Sequence, residues 1–143
     1  VEIEAPPEKV WEALNSREQE YNAGWTLDYD GVGPGARYAF RDGRGEALIV
    51  GEVIEFDPPR RLVTTSSHQW SEEVKAEKPS RVTYEIVATS KGCKLTVIHD
   101  GFESEDSPTY RAVEGGWPPI LEALKALVED RPEALAEALA KQA

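Results

Sequence analysis

Hydrophobic positions along the chain change their period twice. The opening stretch, VEIEAPPEKVWEALNSREQ, sets Val1 and Ile3 against Glu2 and Glu4, the alternation of a half-buried strand. Pro6 and Pro7 end that strand and suit the first turn of a helix, where a missing N–H costs nothing. Val10, Trp11 and Leu14 follow at helical spacing and predict a short helix that buries Val10 and Leu14 together. A second helical turn is read over residues 17–22. From Trp25 to Phe102 the period is that of strands. Tyr38 and Phe40 share one face against Arg37 and Arg41, RDGRG carries the Asp-Gly hairpin signal, and DPPR makes a corner between two strands. Leu62, Thr64, Ser66 and His68 fall on one face of the strand after that corner. SRVTYEIVATSKGCKLTVIHD reads as a hairpin turning at Ser90–Lys94. Val82, Tyr84 and Ile86 share one face of its first strand, and Leu95, Val97 and His99 one face of its second. Beyond SEDSP the spacing of Trp117, Leu121, Leu124 and Val128 predicts an amphipathic helix that starts near Trp117 or kinks after Gly115-Gly116. DRPEALAEALAKQA adds a last turn or two, with Asp130 as the expected cap.

This order predicts an α+β helix-grip fold. About seven mostly antiparallel strands form a curved sheet wrapped on a long C-terminal helix, with two short helices after the first strand. At 143 residues the chain is expected to be one domain, 1–143, able to fold without disulfides or metal. It begins at Val1 and contains no methionine, so its natural start is expected to lie upstream.

Charge narrows the partners. Acidic residues outnumber basic ones 27 to 16, a formal charge of −11, which opposes nucleic-acid binding. The same excess serves solubility or an acidic docking face for a basic partner. No apolar run approaches the roughly 20 residues of a membrane span, so no membrane role is read. A single cysteine, Cys93, excludes an internal disulfide framework and points to a reducing compartment, hence the cytoplasm.

Candidate chemistry centres on TVIHDGFESEDSPTY. His99 precedes Asp100, yet adjacent strand residues point to opposite faces and cannot converge on one proton. His99 is therefore read as a buried histidine bonded to backbone or hydroxyl, as a polar contact for a ligand, or as a general base. Glu103, Glu105 and Asp106 are assigned to an acidic loop before the final helix. No metal site and no cofactor are expected: His68 and His99 with a lone Cys93 do not make a zinc ligand set. Cys93 lies in a turn beside Lys91 and Lys94, cations that would lower its pKa. GVGPG is followed by a strand, not by the helix that a phosphate loop needs.

Five segments in order carry a family resemblance: IEAPPEKVWEAL, GPGARYAFRDG, GEVIEFDPPRRLV, SRVTYEI and KLTVIHDGF…GGWPPILEALKALVE. Over about residues 1–129 the chain resembles the activator-of-heat-shock-protein-90-ATPase-homologue-like domains of the SRPBCC (START and pollen-allergen-related) superfamily. The resemblance implies a pocket between sheet and helix, and a stress-response role beside a chaperone. Strand parity and fold together nominate Trp25, Tyr38, Phe40, Trp70, Tyr84 and Trp117 as aromatic wall. Ser66, His68 and His99 are nominated to orient the polar end of a hydrophobic or amphipathic ligand. The alternatives are a co-chaperone-like module acting on a partner ATPase, with a chaperone or other protein as partner, and an aromatase/cyclase-type enzyme using a histidine. The oligomeric expectation is a monomer or a homodimer.

Overall fold

A computed structural model of the chain describes residues 1–22, 24–102, 104, 107–113 and 116–142. Its strands are β1 (Glu2–Ile3), β2 (Glu18–Gln19), β3 (Trp25–Tyr29), β4 (Arg37–Arg41), β5 (Ala47–Asp57), β6 (Arg61–His68), β7 (Ser80–Ala88) and β8 (Cys93–Asp100). The helices are α1 (Pro7–Asn15), α2 (Glu72–Lys75), α3 (Pro108–Val113), α4 (Trp117–Val128) and α5 (Pro132–Ala140). All eight strands form one antiparallel sheet in the order β1-β8-β7-β6-β5-β4-β3-β2. Consecutive strands from β2 to β8 are neighbours, as short turns dictate. Register shifts between Phe40 and Arg41 and between Val53 and Glu55 bend the long strand β5, so the sheet curves.

The core lies between this sheet and the helices. Ile3, Val10, Ile86, Leu95, Leu124 and Val128 are buried together, so α1 and α4 share one apolar layer with β7, β8 and β1. Cys93 is buried in that layer opposite Ile3. Burial raises its thiol pKa, with Glu8 adding to the rise, so the lowering expected from Lys91 and Lys94 does not occur.

The α+β helix-grip plan holds, with three local corrections. Residues 17–22 form no helical turn. Glu18–Gln19 is a strand pairing β3, which gives eight strands and leaves one helix, not two, after β1. The cause is the Gln19 side chain, only 1% exposed. Its Nε2 donates to Ser16 O (2.5 Å) and Leu14 O (3.4 Å) at the end of α1, and its Oε1 accepts from Tyr21 Oη (2.6 Å). A buried amide that closes off helix-end carbonyls holds the segment extended. Second, the long C-terminal helix is two helices, α4 and α5. Asp130 does not cap α5. It takes φ 58° in the break, and Arg131 stands at the N-cap before Pro132. Third, α2 lies between β6 and β7, capped by Ser71 Oγ accepting from Val74 N (3.3 Å), in a segment to which hydrophobic spacing assigns no element. Pro118 and Pro119 sit in the first turn of α4 behind Gly116, so they start the helix without kinking it.

Candidate functional site

Sheet and α4 do not close completely on one another. Between them lies a cavity of about 160 Å³. That is about the 150 Å³ at which an apolar protein cavity accepts a benzene-sized guest. Strand parity brings the wall together. Trp25 comes from β3, Tyr38 and Phe40 from β4, Ser66 and His68 from β6, Tyr84 from β7 and His99 from β8, while Trp117 opens α4. Trp70, just past β6 and 46% exposed, stands at the rim. All nine residues nominated from the sequence line this one cavity. The aromatic rings contact one another in pairs, with Tyr38 and Phe40 edge-on at 5.6 Å, Trp25 and Phe40 at 6.0 Å, and Tyr84 and Trp117 at 6.1 Å.

Tyr38 is held by its reach across the sheet. Its ring passes over Gly51, its register partner on β5, and its Oη donates to Thr65 O on β6 at 2.5 Å.

His99 is bonded at both ring nitrogens. Trp117 Nε1–H donates to His99 Nδ1 at 3.2 Å. An indole N–H can only donate, so Nδ1 is the bare nitrogen and Nε2 carries the proton. Nε2 lies 2.7 Å from Ser80 Oγ, to which it donates, and the Ser80 hydroxyl donates onward to Ser66 O at 3.2 Å. A directed chain thus runs from α4 through β8 and β7 to β6, and it assigns the tautomer. It requires a neutral imidazole. Burial lowers the His99 pKa to about 4, helped by His68 and opposed by Asp100. Asp100 points out of the opposite, exposed face, as parity requires. With no free lone pair, His99 ties α4 to the sheet and has none of the availability that a general base needs.

His68 differs. It is 2% exposed, its ring stacks at 6.2 Å from that of His99, and Trp70 packs edge-on at 4.6 Å. Its Nδ1 is buried with no hydrogen-bond partner. Burial lowers its pKa to about 4, partly offset by the carboxylate of Glu77. Burial alone would raise Glu77, but hydrogen bonds from Thr109 and Ser107 outweigh it and hold the carboxyl below its usual value. Glu77 Oε2 accepts from Thr109 N at 2.9 Å and from the Thr109 hydroxyl, so α3 is fixed against the segment that follows α2.

Both imidazoles are therefore expected to stay neutral down to about pH 4. In the unfolded chain they take up protons near the ordinary value of about 6.5. Unfolded chains then bind more protons than folded ones between those two pH values. Stability present above about pH 6.5 is lost as pH falls toward about 4, and this source adds no further loss below that. NMR titration of the imidazole resonances checks this; a midpoint near 6.5 for either ring contradicts it.

Among the described residues, none lining the cavity carries a formal charge, and no three His, Cys, Asp or Glu side chains converge as a metal site. No helix among them is long and apolar enough to cross a membrane. Glu103, Glu105 and Asp106, assigned to an acidic loop, lie outside the described residues, as does Gly115. Sequence reasoning missed Ser80 and Glu77. Ser80 becomes visible only through its register opposite Ser66, and Glu77 only through its bonds to Thr109.

A curved sheet gripping a helix around an uncharged aromatic cavity defines a START-type domain of the SRPBCC class. Residues 4–129 match the family described as Activator of Hsp90 ATPase homolog 1-like protein, and the chain belongs to that family. No curated protein matches it. Among solved structures it is similar to protein MLL2253 from Mesorhizobium loti, with 24% identity over 91% of this chain and 93% of that one and a TM-score of 0.75. It is similar to ChR145 from Cytophaga hutchinsonii, with 26% identity, 93% and 92% coverage and a TM-score of 0.68. An HSP90 activator from Plasmodium falciparum shares 19% identity over 87% of this chain and 89% of that one, with a TM-score of 0.64.

Proposed function

We propose that this chain binds a hydrophobic or amphipathic small molecule in the cavity between sheet and α4. The observation that carries this reading is the open volume of about 160 Å³, walled by aromatic rings where a close-packed core would fill it. Trp25, Tyr38, Phe40, Tyr84 and Trp117 supply apolar wall, and Trp70 stands where a guest enters. Ser66 and His68 supply polar contact, while His99, already bonded on both sides, offers its ring and holds the wall in place. No reaction is assigned. Native mass spectrometry of protein purified from its own host tests the proposal. A non-covalent small-molecule adduct is expected; only the bare chain mass speaks against it.

A second reading is a co-chaperone-like module. The family description and the −11 charge favour it, since an acidic surface suits a basic docking face. Stimulation of a chaperone ATPase by the purified chain is the outcome that supports it.

A further inference from the structure

We infer that the cavity's guest is uncharged and presents an accepting oxygen, as a carbonyl or an ether does, to the hydroxyl of Tyr84. This rests on the small-molecule reading above and specifies its chemistry.

Tyr84 carries a tyrosine hydroxyl that the fold leaves unspent. Tyr21, Tyr29 and Tyr38 stand close enough to affect its ionisation, and each of those three donates within the protein. Tyr21 Oη donates to Gln19 Oε1 at 2.6 Å, Tyr29 Oη to Asn15 Oδ1 at 2.7 Å and Tyr38 Oη to Thr65 O at 2.5 Å. Tyr84 Oη has no partner among the described residues. Nor is it sealed off. The inaccessible side-chain atoms without a partner are His68 Nδ1, Glu77 Oε1, Glu129 Oε1 and Gln142 Oε1, and Tyr84 Oη is not one of them. Tyr84 is half-buried on the inner face of β7, whereas its neighbours on that face, Val82, Ile86 and Leu62, are buried. The surface that Tyr84 keeps borders the cavity. A side pocket of about 10 Å³ also touches Tyr84, but it holds one water at most, so a guest meets this residue only from the larger space.

A buried phenol ordinarily finds a partner. Burial first, and then Tyr21, raises the Tyr84 pKa well above its usual value, so the O–H is intact at neutral pH and available to donate. Other side chains of the wall ask for the same complement. The indole N–H groups of Trp25 and Trp70 can only donate, and the Asn22 amide brings two more N–H donors. Trp70 stands at the rim within reach of water, whereas Tyr84 lies on the inner face of the sheet and depends on what fills the cavity. A carboxylate would also accept these bonds. With no formal charge on the described wall, it would lose its hydration and meet no counter-ion, a cost larger than one hydrogen bond returns. The chain's charge of −11 further disfavours an anion.

Three single-ring probes test this at pH 7 by calorimetric or NMR titration: acetophenone, α-methylstyrene (in which the carbonyl oxygen is replaced by a methylene group of similar shape) and benzoate. Tyr84→Phe is expected to weaken acetophenone about tenfold, since its carbonyl is left unpaired, and to leave α-methylstyrene within about twofold. Benzoate is expected to bind the wild-type chain at least about tenfold more weakly than acetophenone. The carbonyl stretch of bound acetophenone in infrared difference spectra should fall below its value in an apolar solvent, and Tyr84→Phe should abolish that shift. Because Oη has no partner within the fold, the variant should match or exceed the wild type in denaturation midpoint. Acetophenone affinity unchanged in Tyr84→Phe, equal losses for acetophenone and α-methylstyrene, a carbonyl stretch insensitive to the variant, a lowered midpoint, or benzoate binding as tightly as acetophenone overturns this inference and leaves the cavity reading standing. Failure of all three probes to bind overturns both.

Discussion

Replacing Leu124 with alanine is expected to lower the unfolding free energy by about 3–4 kcal/mol, read from chemical denaturation. Leu124 is fully buried, belongs to the core layer that α4 shares with α1 and the sheet, and also borders the cavity. Deleting its side chain removes apolar contact and leaves space beside space that is already open. The void therefore has little wall to collapse onto it, which places the loss in the upper part of the usual range. The same variant should take larger guests than the wild type, because its vacated volume joins the cavity. A loss below about 1 kcal/mol would mean that α4 is not seated on the sheet as described.

Gly51→Ala is expected to cost about 3 kcal/mol, although alanine in a strand interior ordinarily improves on glycine. A Cβ at this position would press into the carbonyl oxygen of Thr65 and lie 2.7 Å from Tyr38 Cε1. The Thr65 carbonyl is backbone and cannot swing aside. Tyr38 cannot move without giving up the bond from its Oη to that same carbonyl. Gly51 is thus the position that lets Tyr38 lie across β5 and form the cavity floor. Denaturation midpoints should fall, and affinity for an apolar guest should fall with them. A variant as stable as the wild type would show that Tyr38 does not occupy this place.

Much of the site was legible because strand parity is a strict rule. Leu62, Thr64, Ser66 and His68 recur at every second position of β6, as do Leu95, Val97 and His99 on β8, so the inward faces follow once the strands are recognised. Helical spacing likewise placed Trp117 and Leu124 on the inner face of α4. What parity does not carry is pairing across strands. The link from His99 through Ser80 to Ser66 depends on the register Ser66↔Ser80, and hydrophobic spacing contains no trace of it. Gly51 is silent for the same reason, since its role comes from a ring that crosses over it from β4. Residues 17–22 were misread as a helical turn because nothing in their spacing reports that the Gln19 amide is buried against the carbonyls that end α1. The break at Asp130 escaped because its φ of 58° is a backbone state that the spacing of Leu127, Val128 and Leu135 does not report. Local rules held within elements and failed where one element's polar atoms complete another's.

The four tryptophans provide the sharpest experiment on the cavity itself. Trp25, Trp70 and Trp117 line it, while Trp11 packs edge-on to Phe56 at 5.4 Å and does not. Titrating the chain with 2-methylnaphthalene while following the four indole N–H resonances should move those of Trp25, Trp70 and Trp117 with one common saturation curve. The Trp11 resonance should stay in place. Unmoved resonances at the solubility limit of the probe, or shifts of equal size at all four indoles, would contradict a guest-binding cavity between sheet and α4.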